Sequence, residues 1–118
     1  MYMKIISVLC LAAAIVCLAG CSDDCEDQLP TLSLVNNGTG KADVQIKTSG
    51  GNTENINNIA VGAASEKRAF APGQIDLTIA IQGVNDPIEY SMTILNCNHY
   101  IVSIDQNNTV NVQVVPVL

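Results

Sequence analysis

Hydrophobic and polar residues alternate along most of the chain after residue 30, so that nearly every second side chain is apolar. Successive side chains of an extended strand point to opposite faces, and this period therefore predicts strands that bury one face and expose the other. Seven such runs are present. Their predicted inward positions are Leu32 and Leu34; Val44 and Ile46; Ile59 and Val61; Ile75, Leu77, Ile79 and Ile81; Ile88, Tyr90, Met92 and Ile94; Tyr100, Val102 and Ile104; and Val110, Val112 and Val114.

Clusters of asparagine, glycine, serine and proline separate these runs, as expected for tight turns. They are found at residues 36–40, 49–51, 72–73, 85–87 and 107–108. After the N-terminal region, no window repeats its apolar residues with the 3.6-residue period of a helix. The pattern predicts an all-β fold, an antiparallel β-sandwich of about seven strands with immunoglobulin-like or transthyretin-like topology. A small barrel is the alternative.

The N-terminal region has a different pattern, which predicts a cleaved helical signal peptide. Lys4 supplies a positive charge, residues 5–19 are apolar apart from Ser7, and small residues end the run. This order is typical of a secretory signal. Because a helix needs about 20 apolar residues to cross a bilayer, the run is short for a membrane span. An uncleaved membrane anchor is the alternative.

The residues Leu18-Ala19-Gly20-Cys21 resemble the lipobox of bacterial lipoproteins. The resemblance implies that the signal peptide is cleaved between Gly20 and Cys21, and that Cys21 becomes a lipidated N-terminus carrying fatty acids such as palmitate. Two or more acyl chains anchor a protein stably, whereas one chain binds a membrane only marginally. We therefore expect the lipid on Cys21 to attach the protein to a membrane.

The segment that follows, SDDCED at residues 22–27, carries four carboxylates and predicts a solvated spacer. Serine and acidic residues after a lipidated cysteine also resemble the surface-export signal of Bacteroidota lipoproteins, although Cys25 interrupts the run here. The resemblance implies attachment to the bacterial outer membrane, with the domain on the cell surface. The expected organisation is a signal peptide at 1–20, a lipidated acidic tether at 21–30 and a β-sandwich domain at 31–118.

The five cysteines of the chain divide into three groups under this interpretation. Cys10 and Cys17 leave with the signal peptide, and Cys21 is lipidated. Cys25 and Cys97 remain as an even pair in an exported compartment that permits disulfides. We predict that they form a disulfide, which would stabilise the fold by about 4 kcal/mol in the chain-entropy model. Two unpaired thiols, with Cys97 buried as a small apolar side chain, are the alternative.

The position of Cys97 in the alternation adds a structural expectation. It has the opposite parity from Tyr90, Met92 and Ile94. We therefore expect Cys97 either on the outer face of its strand or beside a bulge at residues 96–98 that resets the register.

The charge of the chain argues against nucleic acid as a partner. The formal net charge is −6, and only four basic residues follow the predicted signal peptide. Lysine and arginine contacts to phosphates supply most of the affinity of nucleic-acid-binding proteins. An acidic chain without a basic stripe is therefore not expected to bind DNA or RNA.

Candidate catalytic residues are few, and the sequence predicts a protein without enzymatic activity and without a cofactor. His99 is the only histidine, and it shares strand parity with Ser103 and Asp105. At about 3.3 Å per residue, His99 and Ser103 would lie roughly 13 Å apart along a strand, too far for a catalytic hydrogen bond.

Metal binding is not predicted either. Cys97 and His99 could share a face, but a zinc site needs three or four ligands, and no CxxC or HxxxH spacing is present. Residues 105–109 resemble an oxygen-rich calcium loop only faintly. They lack its glycine and its distal glutamate, and a hairpin turn accounts for the same residues.

The aromatic residues give little support to glycan binding. Tyr90 and Tyr100 alternate with aliphatic residues, so we expect them to pack inside with their hydroxyls at the rim. The chain has no tryptophan, and sugar-binding platforms depend on exposed aromatic faces. A surface location nevertheless leaves glycan binding open.

A second resemblance covers residues 32–104. The segments LVNNGTGKADVQI, AVGAASEKRAFAPGQIDLTI and HYIVSI are similar to small β-sandwich domains of unknown function in bacterial cell-surface lipoproteins. The resemblance implies a fold and no catalytic residues. We expect a lipid-anchored β-sandwich of the cell envelope that acts as a structural or protein-interaction module with an envelope protein as its partner. The alternative is an accessory lipoprotein that binds a glycan or protein ligand through loops at one end.

Overall fold

The computed structural model describes residue 25 and residues 27–117, and this part of the chain is all-β. Its strands are β1 (Thr31–Asn36), β2 (Ala42–Thr48), β3 (Thr53–Ile59), β4 (Ala63–Ala64), β5 (Arg68–Ala69), β6 (Gly73–Ile81), β7 (Ile88–Ile94), β8 (Asn98–Ile104) and β9 (Val110–Pro116). Two of these strands, β4 and β5, have only two residues each. The predicted signal peptide lies outside the described residues.

The strands form two sheets that pack face to face. The first sheet has the order β3-β2-β6-β7 and is antiparallel throughout. The second has the order β4-β1-β8-β9, and β5 pairs with β1 along the same edge as β4. Within the described part of the chain, β1 and β8 form the one parallel pair. The predicted all-β sandwich is confirmed, with this parallel pair as a difference from a purely antiparallel one.

The alternation in the sequence places the core between the sheets. In β2, for example, Val44 and Ile46 are buried, whereas Asp43 and Gln45 are exposed. Burial of apolar side chains is the main favourable contribution to folding, so the inward faces hold the sheets together. The buried apolar residues are Leu32, Leu34, Ala42, Val44, Ile46, Ile56, Ile59, Phe70, Ile75, Leu77, Ile79, Ile81, Ile94, Tyr100, Val102 and Ile104.

The third strand differs from the sequence prediction. The pattern predicts Ile59 and Val61 in one strand, but β3 ends at Ile59, and Val61 is 55% exposed. Before Ile59 the strand contains a bulge, because the three steps from Ile56 to Ile59 match only two steps along β2. Asn58 has a φ of 63° in this bulge, and its N–H donates to Asp43 Oδ1 at 2.7 Å. The extra residue breaks the alternation, which is why the sequence pattern misses most of β3.

Cys97 lies in the turn between β7 and β8, which is neither of the positions expected from its parity. Its φ is 71°, in the left-handed region that residues other than glycine seldom adopt. Its N–H donates to the Gln28 carbonyl at 3.0 Å, and its carbonyl accepts the Val117 N–H at 2.8 Å. The turn is therefore bonded to the segments at both termini of the described chain.

The parallel pair of β1 and β8 joins two chemically different ends of the sandwich. Both strands begin where Cys25 is bonded to Cys97, which we call the disulfide end. Both finish beside the loops at residues 37–41, 60–62 and 105–109, which we call the loop end. A strand rises about 3.3 Å per residue, so the length of β8 separates the two ends by roughly 20 Å.

Candidate functional site

The predicted disulfide is present at the disulfide end. Cys25 and Cys97 are bonded across a sequence separation of 72 residues, with their Cα atoms 5.3 Å apart. This separation is normal for a disulfide. Gly20 and Cys21, the predicted cleavage and lipidation positions, lie outside the described residues.

Tyr100 is placed as the sequence predicts, and Tyr90 nearly so. Tyr100 is buried, and its hydroxyl accepts the Leu95 N–H at 2.9 Å. Tyr90 is half-buried and packs against the core. The ring of Tyr100 is therefore covered, and that of Tyr90 is covered in part.

His99 contacts hydroxyl groups of β1. Thr31 Oγ1 lies 2.8 Å from His99 Nδ1, and Ser33 Oγ lies 3.2 Å from Nε2, because the parallel register sets His99 opposite Thr31. Burial, together with the positive charge of Lys67, lowers the pKa of His99, so the imidazole is neutral at pH 7. No carboxylate of residues 27–117 hydrogen-bonds to this ring. The cluster therefore does not form a Ser-His-Asp triad.

Residues 105–109 form the hairpin turn between β8 and β9, which confirms the turn interpretation. Asp105 Oδ1 accepts the backbone N–H groups of Thr109 and Asn107, each at 2.9 Å. These bonds, led by that of Thr109, lower the pKa of Asp105 because they stabilise its charged form. Among the residues that the structure describes, no group of three histidine, cysteine, aspartate or glutamate side chains could hold a metal ion.

A cleft of about 560 Å³ lies at the loop end. It lies between the end of β1, the loop before β4 and the β8–β9 hairpin. Small-molecule sites typically have volumes of roughly 300–1,000 Å³, so the cleft is large enough for a ligand. The lining residues are Asn37, Val61, Gly62, Ser103, Ile104, Asp105, Gln106 and Asn107.

Backbone hydrogen bonds fix the walls of this cleft relative to one another. The Asn37 N–H donates to the Ile104 carbonyl at 2.8 Å, which joins the end of β1 to the end of β8. The Gly62 N–H donates to the Asn36 carbonyl at 2.6 Å, which joins the loop before β4 to β1. The cleft is therefore built on bonded loops that continue the two central strands of the second sheet.

Asn36 organises the loops from below the cleft. It is fully buried, and its Nδ2 donates to the carbonyls of Gly40 at 2.9 Å and Ile59 at 2.8 Å. Its Oδ1 accepts the Gly38 N–H at 2.9 Å. Both amide hydrogens and the amide oxygen are thus used, which satisfies the requirement for burying a polar side chain.

A second asparagine links the hairpin to the loop after β1. Asn108 Oδ1 accepts the Thr39 N–H at 3.0 Å, and Asn108 Nδ2 donates to Thr39 Oγ1 at 2.9 Å. Asn108 has a φ of 60°, in the left-handed region that asparagine adopts more readily than most residues. The link holds the two loops together at the loop end.

The lining of the cleft combines exposed amides with one apolar side chain. Asn37, Gln106 and Asn107 are exposed, and Val61 presents an apolar surface beside them. Asp105 gives the lining a negative charge, and no lysine or arginine belongs to it. The arrangement therefore suits a neutral polar ligand better than an anion.

The sequence pattern missed two residues of this site. Val61 is predicted as a buried strand residue, whereas it lines the cleft. The pattern predicts Asn36 only as part of the turn cluster at residues 36–40. Its parity with Leu32 and Leu34 was the available signal, because it places a polar residue at an inward position at the end of a strand.

Comparison with protein-family models, with curated proteins and with solved structures finds no match to this chain. Within residue 25 and residues 27–117, the structure contains no helix long and apolar enough to cross a membrane.

Proposed function

We propose that this protein is a lipid-anchored, non-enzymatic module of the bacterial cell envelope that presents its loop-end cleft to a protein partner. The observation that carries the proposal is the placement of Cys25 and the cleft at opposite ends of the parallel pair of β1 and β8. Cys21, the proposed lipid attachment point, is four residues before Cys25. An anchor at one end would leave the cleft accessible at the other.

The length of the tether supports this geometry. An extended chain spans at most about 3.6 Å per residue, so Cys21 would lie within roughly 14 Å of Cys25. The length of the sandwich along β8, estimated above as roughly 20 Å, exceeds this distance. The disulfide end would therefore stay close to the membrane, with the cleft directed away from it.

The first experiment tests the anchor. We expect Cys21→Ala in the full chain to abolish palmitate labelling and to leave an unprocessed precursor. Cys25→Ala is the matched control, because it removes a cysteine four residues away and should leave labelling unchanged. Palmitate incorporation that persists in Cys21→Ala would refute lipidation at this position.

The second experiment tests which face of the outer membrane carries the domain. Protease added to intact cells should degrade the wild-type chain if it is exported to the surface. Replacement of Asp23 and Asp24 by asparagine should keep lipidation and reduce this degradation, because it removes the acidic part of the proposed export signal. Full protection of the wild-type chain in intact cells and its degradation after outer-membrane permeabilisation would place it in the periplasm instead.

The third experiment tests the partner. A photo-reactive amino acid at Gln106 should cross-link to one discrete envelope protein in cells, since this side chain lines the cleft. The same group at Glu89, an exposed position on β7, is the control. Equal cross-linking from both positions would contradict a partner site at the loop end.

A second candidate function is binding of a neutral glycan in the same cleft. The observation that favours it is the combination of exposed amides with the apolar surface of Val61, without a basic side chain in the lining. We expect Val61→Asp to abolish any binding of defined neutral oligosaccharides measured by NMR titration. Leu95→Asp is a matched control, because Leu95 is 58% exposed and lies at the disulfide end. Binding lost equally in both variants would contradict the assignment to the cleft.

A further inference from the structure

The edge strands of the two sheets differ in how well they are protected. β4 and β5 are two residues long, β3 contains a bulge and Glu54, and β7 contains Glu89. In contrast, β9 has seven residues, VNVQVVP, with a regular register and no charged side chain. Short strands, bulges and charges are the usual devices that prevent a sheet edge from pairing with another chain. β9 has none of these three, and its one residue of a protective type is Pro116, the last of the strand.

The hydrogen bonds that flank β9 determine which of its backbone groups are free. The Asp105 N–H donates to the Thr109 carbonyl, and the Val117 N–H donates to the Cys97 carbonyl. Both pairs continue the register of the β8–β9 ladder. Hydrogen-bonded and non-bonded pairs alternate along an antiparallel ladder. Thr109 and Val117 are hydrogen-bonded positions, so the odd-numbered residues of β9 direct their backbone groups to β8. The even-numbered residues direct theirs away from it.

The outward positions are Val110, Val112, Val114 and Pro116. The three valines present free N–H and carbonyl groups at the sheet edge. Pro116 has no N–H, and its outward position is one where proline costs no ladder bond. The part of the edge that can donate hydrogen bonds therefore ends before Pro116.

The side chains of the same valines also lack full cover. Val110 and Val112 are half-buried against the core. Val114 is opposite the buried Tyr100 in the register, yet it is 51% exposed, because no strand of residues 27–117 lies beyond β9. A strand added to this edge would cover Val114 and satisfy the free backbone groups.

We propose that β9 pairs antiparallel with β9 of a second copy of this chain. Val112 lies opposite Val112 of the second copy, and Val110 lies opposite its Val114. This register uses the free N–H groups of all three valines and leaves Pro116 outside the paired stretch. The two second sheets join into one continuous sheet across a two-fold axis, as in other isologous dimers.

The absence of charge from β9 favours a second copy as the occupant. Two-fold pairing sets a strand against itself, so a charged residue near the axis faces a like charge, which is destabilising. Glu54 in β3 and Glu89 in β7 would meet this repulsion. β9 carries only valine, asparagine, glutamine and proline, and its apolar positions are placed symmetrically about Val112.

The test is cross-linking through an added cysteine in the full chain, expressed in its own membrane. Opposed Cα atoms in a hydrogen-bonded antiparallel pair are about 5.5 Å apart, within the range of a disulfide. We expect Val112→Cys to form a species of twice the chain mass in most molecules under mild oxidation. Glu89→Cys, on the edge of the other sheet, should remain monomeric.

Two further substitutions separate pairing from folding. Val114→Pro removes an outward N–H and no bond to β8, so it should reduce cross-linking of Val112→Cys at least tenfold while the melting temperature changes little. Val114→Lys keeps the N–H and adds the charge that protects natural edges, and it should give the same reduction even if the proline variant unfolds. The proposal is overturned if Val112→Cys stays monomeric while its thiol reacts with a maleimide. It is also overturned if Val114→Lys leaves cross-linking unchanged.

Discussion

The disulfide end and the loop end lie at opposite ends of the β1–β8 pair and are stabilised by different chemistry. At the disulfide end, a covalent bond between Cys25 and Cys97 joins segments that are 72 residues apart. At the loop end, the amide of Asn36 joins the loop after β1 to the end of β3 by three hydrogen bonds. A covalent bond acts chiefly by restricting the unfolded chain, whereas the buried amide acts in the folded state. The two ends should therefore respond differently to the same perturbations.

The largest expected effect is loss of the disulfide. Replacement of both Cys25 and Cys97 by serine should lower the free energy of unfolding by roughly 4 kcal/mol, because the loop between them is long in the chain-entropy model. Urea denaturation of this variant and of the wild-type chain measures the difference. Treatment of the wild-type chain with reductant should reproduce it, and an unchanged midpoint under reductant would contradict the prediction.

The next largest effect is expected at the loop end. Asn36→Ala should cost about 3 kcal/mol, because it leaves the buried carbonyls of Gly40 and Ile59 and the Gly38 N–H without their partner. Asn37→Ala is the control, since Asn37 is exposed and should change the stability by less than about 0.5 kcal/mol. Equal losses of stability in the two variants would contradict the prediction that the buried amide of Asn36 contributes more than the surface amide of Asn37.

A smaller effect is expected where the hairpin meets the loop after β1. Asn108→Ala loses both bonds to Thr39 and places a residue that adopts the left-handed region less readily than asparagine at a φ of 60°, so we expect a cost of about 2 kcal/mol. Asn108→Gly loses the same bonds but relaxes the backbone, and should cost about 1 kcal/mol. Thermal unfolding of the two variants measures the difference. A glycine variant less stable than the alanine variant would contradict backbone strain at this position.

The smallest effect is a pH dependence specific to the disulfide end. The folded-state pKa of His99 lies below the ordinary value of about 6.5, because burial and the charge of Lys67 disfavour the imidazolium form. The unfolded chain therefore binds the proton more tightly, and the stability contributed above pH 6.5 is lost as the pH falls below that value. Thermal midpoints at pH 8, 7, 6 and 5 should show this loss.

His99→Gln is the control for that measurement, because it keeps a polar side chain facing Thr31 and Ser33 but does not titrate. Asp76 and Asp105 also have lowered pKa values, caused mainly by hydrogen bonds to Ser91 and Thr109 respectively. The stability that these two carboxylates contribute is lost below about pH 4, a pH range separate from that of His99. A decrease between pH 6.5 and 5 that persists in His99→Gln would show that another group is responsible.

The strands could be predicted from the sequence wherever the alternation is regular. β6 and β8 follow their predicted inward positions, because in a regular strand the apolar residues lie on the face toward the core and the polar residues on the opposite face. β3 was mostly missed, since the bulge at Asn58 replaces alternation with a three-residue spacing. The prediction for Val61 is wrong for a different reason, because Val61 shares the parity of Ile59 but lies beyond the end of the strand.

The loop-end cleft and the parallel pair could not be predicted, because both depend on contacts between distant segments. The pairing of Thr31 with His99 joins residues far apart in the sequence, and no local pattern marks it. The disulfide was predictable only because Cys25 and Cys97 are the two cysteines that belong to neither the predicted signal peptide nor the predicted lipid attachment at Cys21. The role of Asn36 depends on Gly40 and Ile59, which approach it only in the folded chain.

The bond between Cys25 and Cys97 also determines how the domain would carry a mechanical load. Tension applied to the chain before Cys25 crosses the disulfide directly to Cys97 and enters the start of β8. Residues 26–96 lie within the covalent loop and are bypassed, so β1 is not peeled from its neighbours. A force exerted at the cleft would then run along β8 between its two ends. Reduction would redirect the same tension through β1.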